Sequence, residues 1–414
     1  MMLLAAGLTL LASAAASQDR EEPASCVVCH GVEGRELAAS VHARAGVGCT
    51  TCHGGVEGPL EKQAAHGDAL KPLRERGTAL EACGGCHADL ERMRLFGLRT
   101  DQLALYRTSQ HGQKLTADPE AAVATCVSCH GSHAVLRTSD PRSPAHPFNQ
   151  VLTCGECHAD AELMASYGLD PSVPSAYRGS VHGRALIDEG HISSPACTGC
   201  HGSHGATPPR VDEVGRVCGH CHSRVQEHFE ESPHMAAAAR GEITECISCH
   251  GDHGISEPSA QMLSSAPGGL CSLCHQGDPE VLATAEALHA GLAGLDEKID
   301  GTALMLQRAA ARGLFIDEES GYLGDARALR VRAGAVTHTL SPPALSDLLN
   351  RGQAMVQETQ ERLEIKARAF RDRKIFTAIF FAVAVVLALV LLTYRREIRG
   401  AWPASGRRAE RGAD

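Results

Sequence analysis

Hydrophobic residues form two continuous runs, one near each end of the chain. Residues 1–16 are apolar and close on small residues, which is typical of a secretory signal peptide and places one at 1–17. The alternative for this run is a buried hydrophobic helix. The second run, Ile375 to Tyr394, holds twenty residues without charge, glycine or proline, and as a helix it would match a bilayer core of about 30 Å. The pattern predicts one transmembrane helix at 375–394 and a tail at 395–414.

Between 276 and 374, apolar residues recur at helical spacing. A second stripe runs from Leu323 to Val336, and Pro342 begins a third predicted helix after Ser341. The first stripe, ended by Gly313, consists of Leu288, Leu292, Leu295, Ile299, Leu306 and Ala310. We expect an antiparallel helical bundle or stalk whose last helix continues into the membrane span. Such stripes are more typical of a bundle core than of a surface that docks a partner.

All 18 cysteines belong to nine copies of C-x-x-C-H, numbered here motif 1 to motif 9 in chain order. No thiol is left for a disulfide, a catalytic nucleophile or a four-cysteine zinc site. Two cysteines three apart lie on one side of a helical turn and can each form a thioether with a haem vinyl group, while the adjacent histidine binds the iron. Zinc would not require that histidine nine times. The motifs therefore predict nine covalently bound haem c groups.

The residues that would attach these haems fall into two sets. The attaching cysteines are Cys26, Cys29, Cys49, Cys52, Cys83, Cys86, Cys126, Cys129, Cys154, Cys157, Cys197, Cys200, Cys218, Cys221, Cys246, Cys249, Cys271 and Cys274. The proximal iron ligands, which are the motif histidines, are His30, His53, His87, His130, His158, His201, His222, His250 and His275.

The composition agrees with a protein whose interior is filled partly by cofactor. Aromatic residues make up 3% of the chain, with one tryptophan, so side chains alone would give a thin core. Covalent porphyrins would supply apolar area. The formal net charge is −10 before any haem propionate is counted, so no nucleic acid partner is expected.

Part of the motif region is duplicated, since segment 83–133 recurs as 154–204, a shift of 71 positions. For example, YRTSQHGQKL at 106–115 becomes YRGSVHGRAL at 177–186. A shortened copy follows from Cys218 to His253, and a degenerate one precedes. We expect residues 18–275 to form one nine-haem domain built from these repeats.

Fourteen histidines lie outside the motifs, and nine of them occupy positions that suit distal iron ligands. Four share the context Ser-x-His, three lie three residues after a proximal histidine, and two are more isolated. In that order they are His42, His111, His182 and His234, then His133, His204 and His253, then His66 and His289. The other five are expected to be ordinary polar surface residues, namely His146, His191, His220, His228 and His338. The eight methionines show no comparable pattern, so bis-histidine iron is predicted.

The plus-three histidines carry a geometric consequence. A histidine three residues beyond a proximal ligand cannot easily reach the opposite face of the same porphyrin. We therefore expect it to bind a neighbouring haem, so that each such histidine ties two haems together.

With these motifs the chain resembles the multihaem cytochromes c of the broad cytochrome c3-like group, over about Cys26 to His289. The resemblance implies that the Ser-x-His and plus-three histidines are distal ligands, although motifs 1 and 2 lack a plus-three histidine. The fold class it implies is mainly α with extensive irregular loops around stacked haems, followed here by the C-terminal helical bundle and one transmembrane helix.

Two functions follow, and ligand counting favours the first. The first is a membrane-anchored electron carrier between a quinol-linked membrane oxidoreductase and a periplasmic redox acceptor. The second is an enzyme that acts on a small nitrogen or sulfur compound at one open haem. An extracellular haem filament fits badly with a C-terminal anchor. Basic residues flank both sides of the span and do not orient it. Because c-type haem is attached outside the cytoplasm, we expect the haem domain on the periplasmic side of the inner membrane.

Overall fold

The computed structural model describes residues 25–266 and 268–401, and this part of the chain is helical with irregular connections and no strand. The predicted mainly α class is thus confirmed. The predicted signal peptide and residues 402–414 of the tail lie outside the described residues.

The chain divides into two compact units. Unit 1 contains residues 25–210 and His250–Glu257, and unit 2 contains Val211–Cys249 and residues 258–401. The division falls inside the motif region. Motif 7, motif 9 and both cysteines of motif 8 therefore belong to the unit that also contains the C-terminal helices.

Unit 1 is built from short helices. They are α1 (Gly31–Ala39), α2 (Val41–Arg44), α3 (Cys49–His53), α4 (Lys62–His66), α5 (Arg76–His87), α6 (Leu90–Met93), α7 (Gln102–Thr108), α8 (Gln110–Ala117), α9 (Cys126–His130), α10 (Gln150–His158), α11 (Ala161–Tyr167), α12 (Val173–Gly179), α13 (Val181–Ile187) and α14 (Cys197–His201), with 3₁₀ turns at Ser25–Val28, Arg94–Phe96 and Pro147–Asn149. Three motifs, those of α3, α9 and α14, occupy a complete five-residue helix from first cysteine to histidine.

Unit 2 combines short helices with three long ones. They are α15 (Val214–Gly219), α16 (Ser223–Glu230), α17 (Pro233–Ala239), α18 (Ile247–His250, whose last residue belongs to unit 1), α19 (Cys271–Cys274), α20 (Pro279–Ala311), α21 (Asp317–Val336) and α22 (Pro342–Ala401), with 3₁₀ turns at Val211–Glu213, Ala260–Leu263 and Thr337–Thr339. Asp278 begins α20 by accepting hydrogen bonds from two amides of its first turn.

Helices α20, α21 and α22 pack into a three-helix bundle through the stripes that the sequence predicts. Leu295, Ile299 and Leu306 of α20 are buried in one cluster with Leu323 of α21 and Leu363 of α22. The expectation for Ala310 was wrong: Ala310 is exposed and Ala309 is buried in its place. The reason is helical phase, because a stripe through 299, 302 and 306 next reaches 309.

Helix α22 runs unbroken for 60 residues from the bundle through the apolar segment. Its most apolar window has a mean hydropathy of 3.1, and none of that window is buried. The helix is therefore long enough and apolar enough to cross a membrane.

Candidate functional site

The serine of each Ser-x-His segment starts the helix that carries the histidine. Ser109 is 1% exposed, and its hydroxyl accepts a hydrogen bond from Gly112 N (3.0 Å) while donating to the Tyr106 carbonyl (2.6 Å). Ser180 makes the same two bonds one repeat later, and Ser40 likewise caps α2. Because a capping serine sits just outside the helix, the histidine two residues later is held in the first turn. These three serines are thus positioning residues for His42, His111 and His182. Ser232 also precedes its helix, α17, but makes no side-chain cap to it, and its hydroxyl donates to the Phe229 carbonyl (2.6 Å).

A close backbone approach explains the glycine that follows two of these histidines. A Cβ atom on Gly112 would lie 2.0 Å from the Tyr106 carbonyl oxygen, and one on Gly183 would lie 2.0 Å from that of Tyr177. Only glycine fits where the capped helix turns back against the preceding one.

A different glycine follows the proximal histidine of the even-numbered motifs. Gly54, Gly131, Gly202 and Gly251 all have positive φ, between 68° and 77°. This left-handed residue ends the helical turn and redirects the chain. In motifs 4, 6 and 8 the plus-three histidine is thereby directed away from its own motif.

A backbone hydrogen bond joins each Ser-x-His helix of unit 1 to a plus-three loop further along the chain. The donor is the amide between the serine and the histidine, and the acceptor is the carbonyl two residues after the plus-three histidine. The three bonds are Val41 N to Val135 O (2.8 Å), Gln110 N to Ala206 O (3.1 Å) and Val181 N to Ile255 O (2.9 Å). We call each contact a repeat joint. Every joint holds one histidine of each distal class close to the other.

Within the described part of each unit, seven imidazole pairs join fourteen of the eighteen predicted iron ligands. The pairs, with the distances between ring centres, are His30–His66 (6.2 Å), His42–His87 (6.2 Å), His53–His133 (6.1 Å), His111–His158 (6.1 Å), His130–His204 (6.1 Å), His201–His253 (5.9 Å) and His234–His275 (6.0 Å). Each pair joins one motif histidine to one predicted distal histidine. Of the other four, His182 and His250 belong to unit 1, and His222 and His289 belong to unit 2.

These separations fit a metal ion between the two rings. An imidazole nitrogen lies about 1.1 Å from its ring centre and about 2 Å from a coordinated first-row metal. Two imidazoles on opposite sides of one iron therefore have ring centres about 6 Å apart. Contact stacking of flat rings, at van der Waals distance, would bring them closer than this. The residues present thus fit bis-histidine haem iron.

The two distal classes reach in opposite directions along the chain. Each paired plus-three histidine reaches back two motifs: motif 4 to motif 2, motif 6 to motif 4, and motif 8 to motif 6. Each paired Ser-x-His histidine reaches forward to the next odd motif, namely motif 3, 5 or 9. The joints at Val41 and Gln110 therefore each present two predicted ligands to two consecutive motifs. Motif 2 has no earlier even motif to serve, which accounts for its lack of a plus-three histidine.

Thiol contacts also follow chain order. The thiols of the first cysteines interact in pairs, between motifs 1 and 2, 3 and 4, 5 and 6, and 7 and 8. The interaction with Cys154 lowers the pKa of Cys197 to about 7. The pKa of Cys129 is raised mainly by burial and to a smaller extent by Cys157. Since Cys129 belongs to motif 4 and Cys157 to motif 5, these two motifs are neighbours. The second cysteine of motif 2, Cys52, likewise lies near the cysteines of motif 3, and that of motif 8, Cys249, lies near the cysteines of motif 9.

Burial favours the neutral, metal-binding form of several of the paired imidazoles. It lowers the pKa of His130, with a smaller effect from His204, and it lowers the pKa of His111, with a smaller effect from His158. His201 also has Nδ1 3.2 Å from the Thr207 carbonyl oxygen, and His289 has Nδ1 2.9 Å from that of Ala260. A proton on Nδ1 leaves the Nε2 lone pair for iron.

The five histidines expected at the surface behave differently from one another. His191 is exposed and pairs with Glu189 at 3.3 Å, as expected. His146 was expected at the surface but is 7% exposed, because its Nδ1 caps a short 3₁₀ turn by accepting from Phe148 N (3.3 Å). Its role is local and structural.

Sequence reasoning missed the serine caps and the repeat joints. The serine was visible as a constant neighbour of four histidines, and its capping preference could have identified it. The repeat joints could not be recognised in the sequence, because their donors and acceptors are backbone groups of Val, Gln, Ala and Ile residues and require no particular side chain.

Comparison with protein-family models, curated proteins and solved structures finds no match for this chain. Within the described residues, no group of three or more His, Cys, Asp or Glu is arranged to hold a metal ion.

Proposed function

We propose that this chain binds nine haem c groups and acts as a membrane-anchored periplasmic electron carrier. The carrying observation is the set of seven imidazole pairs, each spaced at about the distance that one bis-histidine iron requires. A haem iron takes its four equatorial ligands from the porphyrin, so the protein needs to supply two. When bound, haem supplies a one-electron couple that alternates between ferric and ferrous iron.

Continuity of the motifs supports a carrier in particular. In unit 1, thiol contacts relate motif 1 to motif 2 and each later motif to the next as far as motif 6. The repeat joints fix the distal side of consecutive motifs as well. The chain's residues therefore hold the cofactor positions in a sequence of close neighbours, which is what stepwise electron transfer needs.

Two histidines on an iron leave no position for a substrate, which disfavours the enzyme alternative. An enzyme would need at least one of the nine sites to lack its distal histidine. The carrier would instead exchange electrons with a quinol-linked membrane oxidoreductase and a periplasmic redox protein. Covalent haem attachment orients the anchor, with the haem domain in the periplasm and the tail in the cytoplasm.

The bundle separates motif 9 from the proposed membrane. From Pro279, just after motif 9, to Ala309 is 30 helical residues, or about 45 Å. Motif 9 lies at the end of the bundle that is remote from Ile375. A separate membrane subunit would therefore have to oxidise the quinol.

Ligand binding to the purified, membrane-extracted holoprotein tests the proposal. We expect the oxidised protein to be entirely low-spin, and the reduced protein to bind no carbon monoxide. A high-spin haem that binds nitrite or hydroxylamine would refute the carrier and favour the enzyme.

A further inference from the structure

An open cavity of about 680 Å³ lies where the bundle ends beside α22. Ala309, Arg312 and Leu314 line one side, at the end of α20 and in the turn after it, and α22 lines the other from Glu364 to Ala378. Since the apolar segment begins at Ile375, the cavity lies at the level where α22 would enter a bilayer. It is about 45 Å along α20 from motif 9, so it is not space for a haem.

The cavity has a basic lining. Its four cationic side chains are Arg312, Arg368, Arg371 and Lys374, and its one carboxylate is Glu364. Glu364 pairs with Arg368 at 3.0 Å, so the lining residues carry a formal excess of three positive charges. Arg371 also lies 4.0 Å from Asp372, which is outside the lining. Because Arg312 directly follows α20 and is remote from α22 in the sequence, the basic character is built by the tertiary fold and not by span-flanking residues alone.

Apolar surface adjoins these charges. Phe370, Ile375 and Ala378 line the side of the cavity that faces the span. Phe315, in the turn between α20 and α21, is 87% exposed, and its carbonyl accepts from Lys366 Nζ at 3.5 Å. An exposed aromatic ring suits a membrane interface, where its apolar body can leave water.

From this juxtaposition we infer that the cavity binds one anionic phospholipid. Its phosphate contacts Arg312, Arg371 and Lys374, and an acyl chain lies along Phe370 and Ile375. The inference rests on the membrane anchoring in the proposed function but not on its haems. The bound lipid would hold the end of the bundle against the bilayer and fix the direction in which the stalk leaves it.

Native mass spectrometry of the full-length holoprotein tests this, after extraction from vesicles of equal phosphatidylglycerol and phosphatidylcholine. The variant is Arg312→Gln/Arg371→Gln. The matched control is Arg395→Gln/Arg396→Gln, which removes two charges from the other side of the span. Each cation near an anionic headgroup contributes about fivefold in affinity, so we expect about a 25-fold loss of retained phosphatidylglycerol in the variant and little change in the control.

Three outcomes would overturn the inference. The first is equal loss in both variants, which would indicate general flanking charge, and the second is no loss in either. The third is displacement of the lipid by inorganic phosphate alone, which would assign the cavity to a soluble anion. Haem content and membrane partitioning, measured on the same samples, report separately on the carrier and on its anchoring.

Discussion

Replacement of His204 by alanine is expected to open the sixth position of a single iron. The His204 ring centre lies 6.1 Å from that of His130, with the ring planes 12° apart. His204 follows motif 6, but it pairs with His130, the proximal histidine of motif 4. The change therefore removes the distal ligand of motif 4 and leaves His201, the proximal ligand of motif 6, in place. The joint between Gln110 and Ala206 does not use the His204 side chain, so the loop should stay docked.

The size of the effect follows from the ligand count. One site of nine loses its distal ligand, so about one-ninth of the haem should become high-spin when oxidised and bind one equivalent of carbon monoxide per chain when reduced. Optical titration with carbon monoxide measures this directly. His204→Met should restore a six-coordinate, low-spin iron at a higher reduction potential.

The matched control is His191→Ala, because His191 is exposed and pairs only locally with Glu189. It should bind no carbon monoxide. The ligand assignment is refuted if His204→Ala binds none either, or if both variants bind the same amount.

Three further predictions concern the scaffold. Gly183→Ala should destabilise the holoprotein by about 2 kcal/mol in thermal unfolding, because its Cβ would lie 2.0 Å from the Tyr177 carbonyl oxygen; Gly179→Ala, which meets nothing, should not, and equal effects would contradict this. Lys366→Met should cost about 3 kcal/mol in denaturant unfolding of the bundle, because it strands the carboxylate of fully buried Glu319, 2.8 Å from Lys366 Nζ. Adding Glu319→Gln to this variant should recover most of the lost stability, because it removes the buried charge. If stability is not recovered, the loss does not come from the Lys366–Glu319 pair. Purified protein should not oxidise a quinol analogue unaided, because motif 9 lies about 45 Å along α20 from the end of the bundle near the span. Rapid reduction of the haems by the analogue would contradict the claim that the bundle keeps motif 9 away from the membrane.

The sequence predicted which histidines would come together better than it predicted the pairs that they form. The C-x-x-C-H, Ser-x-His and plus-three patterns are local, so they selected thirteen of the fourteen paired residues in advance, and His66 was selected as an isolated candidate. Their partners could not be predicted in this way, because each pairing is long-range. His133, for example, meets His53, which lies 80 positions earlier, and no local pattern specifies that contact.

The same division holds for the fold. The apolar stripes predicted α20 to α22, because helical phase is a local property that burial then reinforces. The sequence did not predict the division into units. That division depends on tertiary contacts: helix α16 directly follows motif 7 and packs on α21 and the 3₁₀ turn at Thr337–Thr339. The position of His146 was also missed, because a capping imidazole looks like any other polar residue until its turn is seen.

Quantitative electron paramagnetic resonance of the fully oxidised holoprotein, with haem measured on the same sample, tests the central claim most directly. We expect nine haems per chain, all with low-spin ferric signals and none high-spin. A high-spin signal of one-ninth of the haem or more would contradict the claim that every iron has two histidine ligands, and fewer than nine haems would contradict the claim that all nine motifs bind haem.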